Sequence, residues 1–69
     1  MSAPDRIAEL FEASEAFWDG EGRVVREGIV LSAGFNTDAA AGLSQSKFRD
    51  LSPNTQRAVA GQIGELLAK

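Results

Sequence analysis

The chain has 69 residues, the length of one small domain, and its formal net charge at pH 7 is −3. It contains no cysteine and no histidine, which excludes disulfide bonds, thiolate or imidazole metal ligands and a histidine general base. Because so short a chain buries a limited core, association with a partner protein or with a second copy as a homodimer is the remaining source of added stability.

No run of 18 apolar residues is present, and the first residues lack the basic-then-apolar pattern of a signal peptide. We therefore expect a cytoplasmic protein that binds no membrane. Residues 1–22 contain six acids and one base, net −5, whereas residues 23–69 contain four acids and six bases, net +2. A non-specific nucleic-acid binder usually carries a stronger basic excess.

The first predicted element is a helix over residues 5–19. Ser2 as N-cap, with Asp5 at the capping-box position, predicts its start, and the glycines within residues 19–22 predict its end. Apolar side chains recur at helical spacing on one face, and acidic side chains occupy the opposite face. The apolar face holds Ile7, Leu10, Phe11, Ser14, Phe17 and Trp18, and the acidic face holds Asp5, Glu9, Glu12, Glu15 and Asp19.

Residues 23–33 fit two structures. In a helix, Gly34 takes the left-handed conformation after the last turn and Phe35 folds back onto that turn. In a β-hairpin over 23–32, Glu27 and Gly28 form the tight turn, and the β-branched residues favour this alternative. We prefer the helix because an isolated ribbon this short is only marginally stable. On one face of that helix lie Val24, Val25, Gly28, Ile29 and Ser32.

Three further helix starts are predicted from capping residues. Asn36, with the two polar residues after it, predicts a short alanine-rich helix over about 38–42. Ser44 predicts another helix, with Phe48 and Leu51 on one side. Ser52 followed by proline predicts the start of the last helix.

The last helix is expected to run to about Ala68. Small side chains recur along one side of it and permit close approach of another helix. These small residues are Ala60, Gly64 and Ala68, and the apolar residues beside them are Val59, Ile63, Leu66 and Leu67.

The expected fold is therefore a single all-α domain over residues 1–69. It is a small orthogonal bundle of three main helices plus one or two short ones, and the alternative is an α+β fold with the hairpin at 23–32. The expected core consists of Ile7, Leu10, Phe11, Phe17, Val25, Ile29, Phe35, Phe48, Leu51, Val59, Ile63 and Leu66.

The acidic face of the first helix and the aromatic residues at its end form the predicted partner surface. Carboxylates on one helix face can meet a basic partner, and exposed aromatic side chains are frequent interface anchors. The structural alternatives are a solvated helix face and aromatic side chains packed in the core. The predicted partner-binding residues are Glu9, Glu12, Glu15, Phe17, Trp18 and Asp19.

Residues 39–51 resemble the turn and recognition helix of helix-turn-helix regulators, in which the pattern Ala-x-x-Gly-Leu-Ser-x-x-x-Phe is frequent. This resemblance implies a dimeric DNA-binding transcriptional regulator as an alternative function. It places Gln45, Ser46, Lys47 and Arg49 at the base- and phosphate-reading positions.

The pattern Ser-x-x-x-Phe-x-x-Leu-Ser-Pro-x-x-Gln, from Ser44 to Gln56, is similar to a short-helix/long-helix unit of small phage and bacterial accessory proteins, some anti-CRISPR inhibitors among them. The resemblance implies a protein that inhibits or regulates a host macromolecule by occupying its surface. We expect no enzyme, cofactor or metal site, because no catalytic triad, HExxH or Walker pattern is present. A structural subunit of a phage particle is a third possibility.

Overall fold

The computed structural model describes the backbone of residues 3–68 and the side chains from Arg6 onward. All of its regular secondary-structure elements are helices. The all-α prediction is confirmed, and residues 23–32 form a helix, with no strand anywhere between residues 3 and 68. The predicted N-cap Ser2 lies outside the described residues. The elements are α1 (Ala3–Gly20), α2 (Arg23–Ser32), α3 (Thr37–Leu43), a 3₁₀ turn (Phe48–Asp50) and α4 (Pro53–Leu67).

Helix α2 ends at Ser32, two residues before the glycine that the sequence analysis predicted to terminate it. Gly34 has a φ of 102°, in the left-handed region that favours glycine. Its N–H donates to the Leu31 carbonyl at 3.0 Å, and the Phe35 N–H donates to the Val30 carbonyl at 3.3 Å. These two bonds satisfy carbonyls that a helix end leaves open, so the predicted termination is confirmed.

Side-chain caps begin α3 and α4 where the sequence predicted them. Asn36 Oδ1 accepts a hydrogen bond from the Ala39 N–H at 2.8 Å, and Ser52 Oγ accepts one from the Thr55 N–H at 3.3 Å. Pro53 occupies the first turn of α4, where its missing N–H costs no helical bond.

Helices α1 and α4 pack against each other and run in opposite directions. Near one end, the 3₁₀ turn that leads into α4 packs against α1, where the Phe48 N–H donates to Asp19 Oδ1 at 3.0 Å. Near the other end, a Cβ added at Gly64 would lie 3.3 Å from Leu10 Cδ1. Gly64, on the small side of α4, therefore allows the close approach of α1 within the molecule, and α4 also packs against α2.

The core is centred on Trp18, Val59 and Ile63, none of which exposes any surface. Of the expected core, Ile29, Phe48, Leu51, Val59 and Ile63 are buried, and Leu10, Phe11, Phe17 and Phe35 pack against its edge. The sequence reasoning left out Trp18, Val30, Ala40 and Ala60, which are also buried.

Three expected core residues are instead exposed, so the core prediction was wrong for them. Ile7 is 58% exposed, Val25 40% and Leu66 46%. Helical spacing identifies the apolar side of a helix but not the length over which a neighbour covers it. Ile7 lies one turn before Leu10, towards the end of the α1–α4 contact, and Val25 and Leu66 line an open groove between α2 and α4.

Ser14 is a buried polar residue in the middle of α1. It exposes no surface, and its Oγ has no hydrogen-bond partner among the described residues. We expect Ser14→Ala to raise the free energy of unfolding by about 1–2 kcal/mol, because it removes an unsatisfied hydroxyl and adds helix propensity. Urea denaturation followed by circular dichroism measures this change. The exposed control Ala16→Ser should cost about 0.5 kcal/mol, and a neutral Ser14→Ala would contradict the prediction.

Candidate functional site

The two aromatic residues near the end of α1, Phe17 and Trp18, pack into the fold, whereas Asp19 beside them is exposed. Trp18 is fully buried, and its Nε1 donates a hydrogen bond to the Ser46 carbonyl at 2.8 Å. Trp18 therefore cannot be a surface contact, and that part of the predicted partner surface is wrong. A small domain needs its largest side chain inside, where the indole N–H must find an acceptor. Phe17 is half-buried against the core, and Asp19 caps the 3₁₀ turn through Phe48.

The acidic face of α1 is only partly free. Glu9 and Glu12 are exposed, as predicted for a charged helix face. The Glu15 side chain is 40% exposed, and its Oε2 lies 3.8 Å from Arg49 Nε. Among the carboxylates of this face between residues 6 and 20, Glu9 and Glu12 are the exposed ones that neither pair with an arginine nor cap a turn. Their role in binding stays a prediction.

Arg26 joins the end of α1 to the segment after α3. Its Nε donates to the Trp18 carbonyl at 2.8 Å, and Nη2 donates to the Asp19 carbonyl at 3.3 Å. Nη1 donates to the carbonyls of Ser44 at 3.1 Å and Ser46 at 3.4 Å. The guanidinium carbon lies 5.5 Å from the centre of the Trp18 ring. The positive charge also suits the C-terminal end of α1, where helix carbonyls are open. We call this arrangement the Arg26 clamp.

The Arg26 clamp explains why the helix predicted to begin at Ser44 does not form there. Ser44 is the buried C-cap of α3, and its Oγ donates to the Ala41 carbonyl at 3.1 Å. A helix would need the carbonyls of Ser44 and Ser46 to accept bonds from N–H groups four residues later. Arg26 and Trp18 occupy those carbonyls instead. A turn therefore replaces the helix, and the Ser44 prediction is wrong.

The residues of the DNA-binding alternative consequently lie on irregular backbone. Gln45 and Lys47 are exposed, Ser46 is half-buried, and Arg49 lies in the 3₁₀ turn beside Glu15. The 3₁₀ turn at 48–50 is the one helical piece within residues 44–50. The second helix of a helix-turn-helix unit, which enters the major groove, is thus missing from this segment.

The outer side of α2 is apolar, although it faces solvent. When α2 is viewed down its axis, with 100° between successive residues, five positions that neighbour one another around the circumference span an arc of about 120°. None of these five residues is charged. Val24 is 84% exposed, Leu31 43% and Val25 40%. The inner side carries the buried Ile29 and Val30. The usual arrangement of an amphipathic helix, with charged residues outward, is therefore absent from this arc. Its members are Val24, Val25, Gly28, Leu31 and Ser32.

A groove continues this arc onto α4. It has a volume of about 250 Å³ and is lined by Gln62 and Leu66 of α4 and by four residues of α2. On the far side of the arc, Glu27 Oε1 is 3.0 Å from Arg23 Nε, so this carboxylate already has a partner. We call the combined region the α2–α4 surface. It consists of Val24, Val25, Gly28, Leu31, Ser32 and Leu66.

Sequence reasoning missed the α2–α4 surface because it assigned Val25 and Leu66 to the core and did not predict that Val24 and Leu31 are exposed beside them. One signal could have revealed it, since apolar residues occur on nearly all sides of α2 and a ten-residue helix cannot bury them all in a small bundle. Contiguous exposed apolar surface of this kind is uncommon on monomeric proteins and often marks an interaction site.

The described part of the chain shows neither a metal-binding cluster nor a membrane-spanning element. Among the side chains of residues 6–68, no three acidic groups come together in a cluster that could hold a metal ion. None of the helices in this range combines the length and the apolar composition needed to cross a membrane.

Comparison with known proteins does not add a family to these observations. No family model, no curated protein and no solved structure matches the chain. The resemblances to helix-turn-helix regulators and to phage accessory proteins therefore stay predictions.

Proposed function

We propose that this chain is a small non-enzymatic protein-interaction module that binds a protein partner through the α2–α4 surface. The observation that carries the proposal is the uncharged, solvent-facing arc of α2, in which Val24 is 84% exposed. The centres of protein interfaces are depleted in charge and rich in apolar side chains, and the groove beside Leu66 adds a concave surface.

The exposed carboxylates of Glu9 and Glu12 give the module a second, polar recognition surface. Opposite charges steer a basic partner towards this surface and speed its association, while like charges disfavour acidic partners. Together with the resemblance at residues 44–56, these features support a cytoplasmic regulator or inhibitor of a larger macromolecule, of the kind that phages encode. The DNA-binding alternative receives no comparable support, because residues 44–47 form a turn.

Affinity capture with matched charge variants tests the proposed surface. Wild type, Val24→Glu and Asn54→Glu are immobilised, and bound proteins from source-cell extract are identified by mass spectrometry. Both substituted positions are exposed and both variants add one negative charge. We expect Val24→Glu to reduce recovery of the partner by about 30-fold, the effect of a central contact worth about 2 kcal/mol. Asn54→Glu, which adds the same charge in the first turn of α4 and away from both surfaces, should behave like wild type.

A double variant, Glu9→Lys with Glu12→Lys, belongs in the same experiment. It should weaken capture several-fold at low salt and leave the circular dichroism spectrum unchanged, because both side chains are exposed. Equal recovery by wild type and Val24→Glu would contradict the proposed surface. Unchanged recovery by the double variant would contradict the role of the acidic face.

A further inference from the structure

We propose that the α2–α4 surface binds a second copy of this chain, so that two α2 helices pack antiparallel and cross at Gly28. This inference rests on the proposed function, because it names the partner of the same surface. It leaves the exposed carboxylates of Glu9 and Glu12 free, on a different helix, for a further macromolecule.

The positions on α2 are suited to pairing with themselves. Val24 precedes Gly28 by four residues and Leu31 follows it by three, and all three lie in the same exposed arc. In an antiparallel pair, Val24 of one copy therefore meets Leu31 of the other, and the same contact recurs on the other side of the axis. This is the reciprocal contact that a two-fold symmetric dimer requires.

Gly28 has no role within the molecule that requires a glycine. A Cβ added there would have nothing within 4 Å, and its φ does not lie in the left-handed region. A glycine inside a helix costs about 1 kcal/mol relative to alanine. At a helix crossing the missing side chain brings the two helix axes closer together, because interaxial distance depends on the side chains at the contact.

The charge distribution also favours a second copy on this surface. Each chain has a net charge of −3, so two copies meet with least repulsion where neither carries a free charge. The arc of α2 is uncharged, and the neighbouring Glu27 is paired with Arg23. On α1, by contrast, Glu9 and Glu12 would face the same carboxylates of a second copy. Like charges that face each other across an interface are unfavourable.

The available area indicates a small interface. A specific dimer buries about 800 Å² on each partner, which is just under a fifth of the 4472 Å² surface of this chain. The arc of α2 alone is too narrow for this, so the groove and Leu66 of α4 must take part. We therefore expect a weak, reversible dimer, with a Kd on the order of 1–100 µM.

Sedimentation velocity and light scattering over about 1 µM to about 1 mM protein test the dimer. We expect the apparent mass of wild type to rise from 7.3 kDa towards twice that value. Val24→Glu and Gly28→Leu should stay at 7.3 kDa throughout with native circular dichroism spectra, since both positions are open to solvent within one copy. Ala16→Glu, which adds the same charge elsewhere, should associate like wild type.

Two results would overturn the inference. One is a wild type that stays monomeric over the whole range, and the other is a dimer that persists in both Val24→Glu and Gly28→Leu. A monomeric wild type whose capture of a different protein still depends on Val24 would refute the second copy while upholding the proposed function. A dimer that Val24→Glu abolishes, with no other protein captured, would support self-association and leave no evidence for a different target.

Discussion

Arg26→Met should lower the free energy of unfolding by about 3–5 kcal/mol. The guanidinium donates to four carbonyls, those of Trp18, Asp19, Ser44 and Ser46. Methionine keeps much of the apolar stem but has no donor, so partly buried acceptors lose their charged partner. A chain of this length has a stability of roughly 3–10 kcal/mol, and the variant should therefore be close to unfolding at 25 °C.

Urea denaturation monitored by circular dichroism measures this loss, and Arg23→Met is the matched control. Arg23 is also an arginine of α2, but its side chain is 59% exposed and bonded to Glu27 alone. Losing that exposed pair should cost about 0.5 kcal/mol. Arg26→Lys should fall between the two, because an ammonium group cannot reproduce the planar fork of donors. If the free energies of unfolding of Arg26→Met and Arg23→Met differ by less than about 1 kcal/mol, the Arg26 clamp does not stabilise the fold.

Trp18→Ala is expected to lower the free energy of unfolding by about 3–5 kcal/mol, the range observed when a large aromatic side chain is removed from a core. Trp18 is the largest fully buried side chain, and it also provides the Nε1 donor to Ser46 and the ring under Arg26. Its neighbour Phe17 is half-buried at the core edge, so Phe17→Ala should cost less, about 2 kcal/mol. This order is the reverse of what an exposed Trp18 predicts.

Thermal and urea unfolding of the two alanine variants decide between these expectations. A Trp18→Ala cost at or below that of Phe17→Ala would show that Trp18 does not belong to the core. Trp18→Phe combined with Arg26→Lys, the milder Arg26 variant, adds a second check, because the two side chains share contacts. Their effects should be non-additive by about 1 kcal/mol in a double-mutant cycle.

The helix ends were predictable because the groups that form them are neighbours in the chain. The Asn36 and Ser52 caps bond N–H groups three residues later, and the carbonyls that Gly34 and Phe35 contact lie three to five residues earlier. Capping and termination depend on such local bonds. A pattern within a few residues therefore identified these boundaries. The helix at 23–32 was preferred on a different ground, the marginal stability of an isolated short ribbon.

The segment after α3 could not be predicted in the same way. Serine is a favourable N-cap residue, which is why a helix was predicted to begin at Ser44. The side chains that bond the carbonyls of this segment belong to Arg26 and Trp18, which precede Ser44 by 18 and 26 residues. Those side chains take the carbonyls that a helix would use. Tertiary contacts overrode a local preference, and the DNA-reading positions 45, 46, 47 and 49 lost their predicted helix with it.

The candidate site likewise depends partly on local sequence and partly on tertiary contacts. The amino-acid sequence alone determined that the chain is helical, where most of its helices begin and end, and which side of α1 carries charge. The tertiary structure decided that Trp18 is buried and that Val24, Val25, Leu31 and Leu66 are exposed. Helical periodicity reports the direction in which a side chain points from its own helix axis. Whether a neighbour covers that side chain depends on how the helices pack, which is a property of the whole chain.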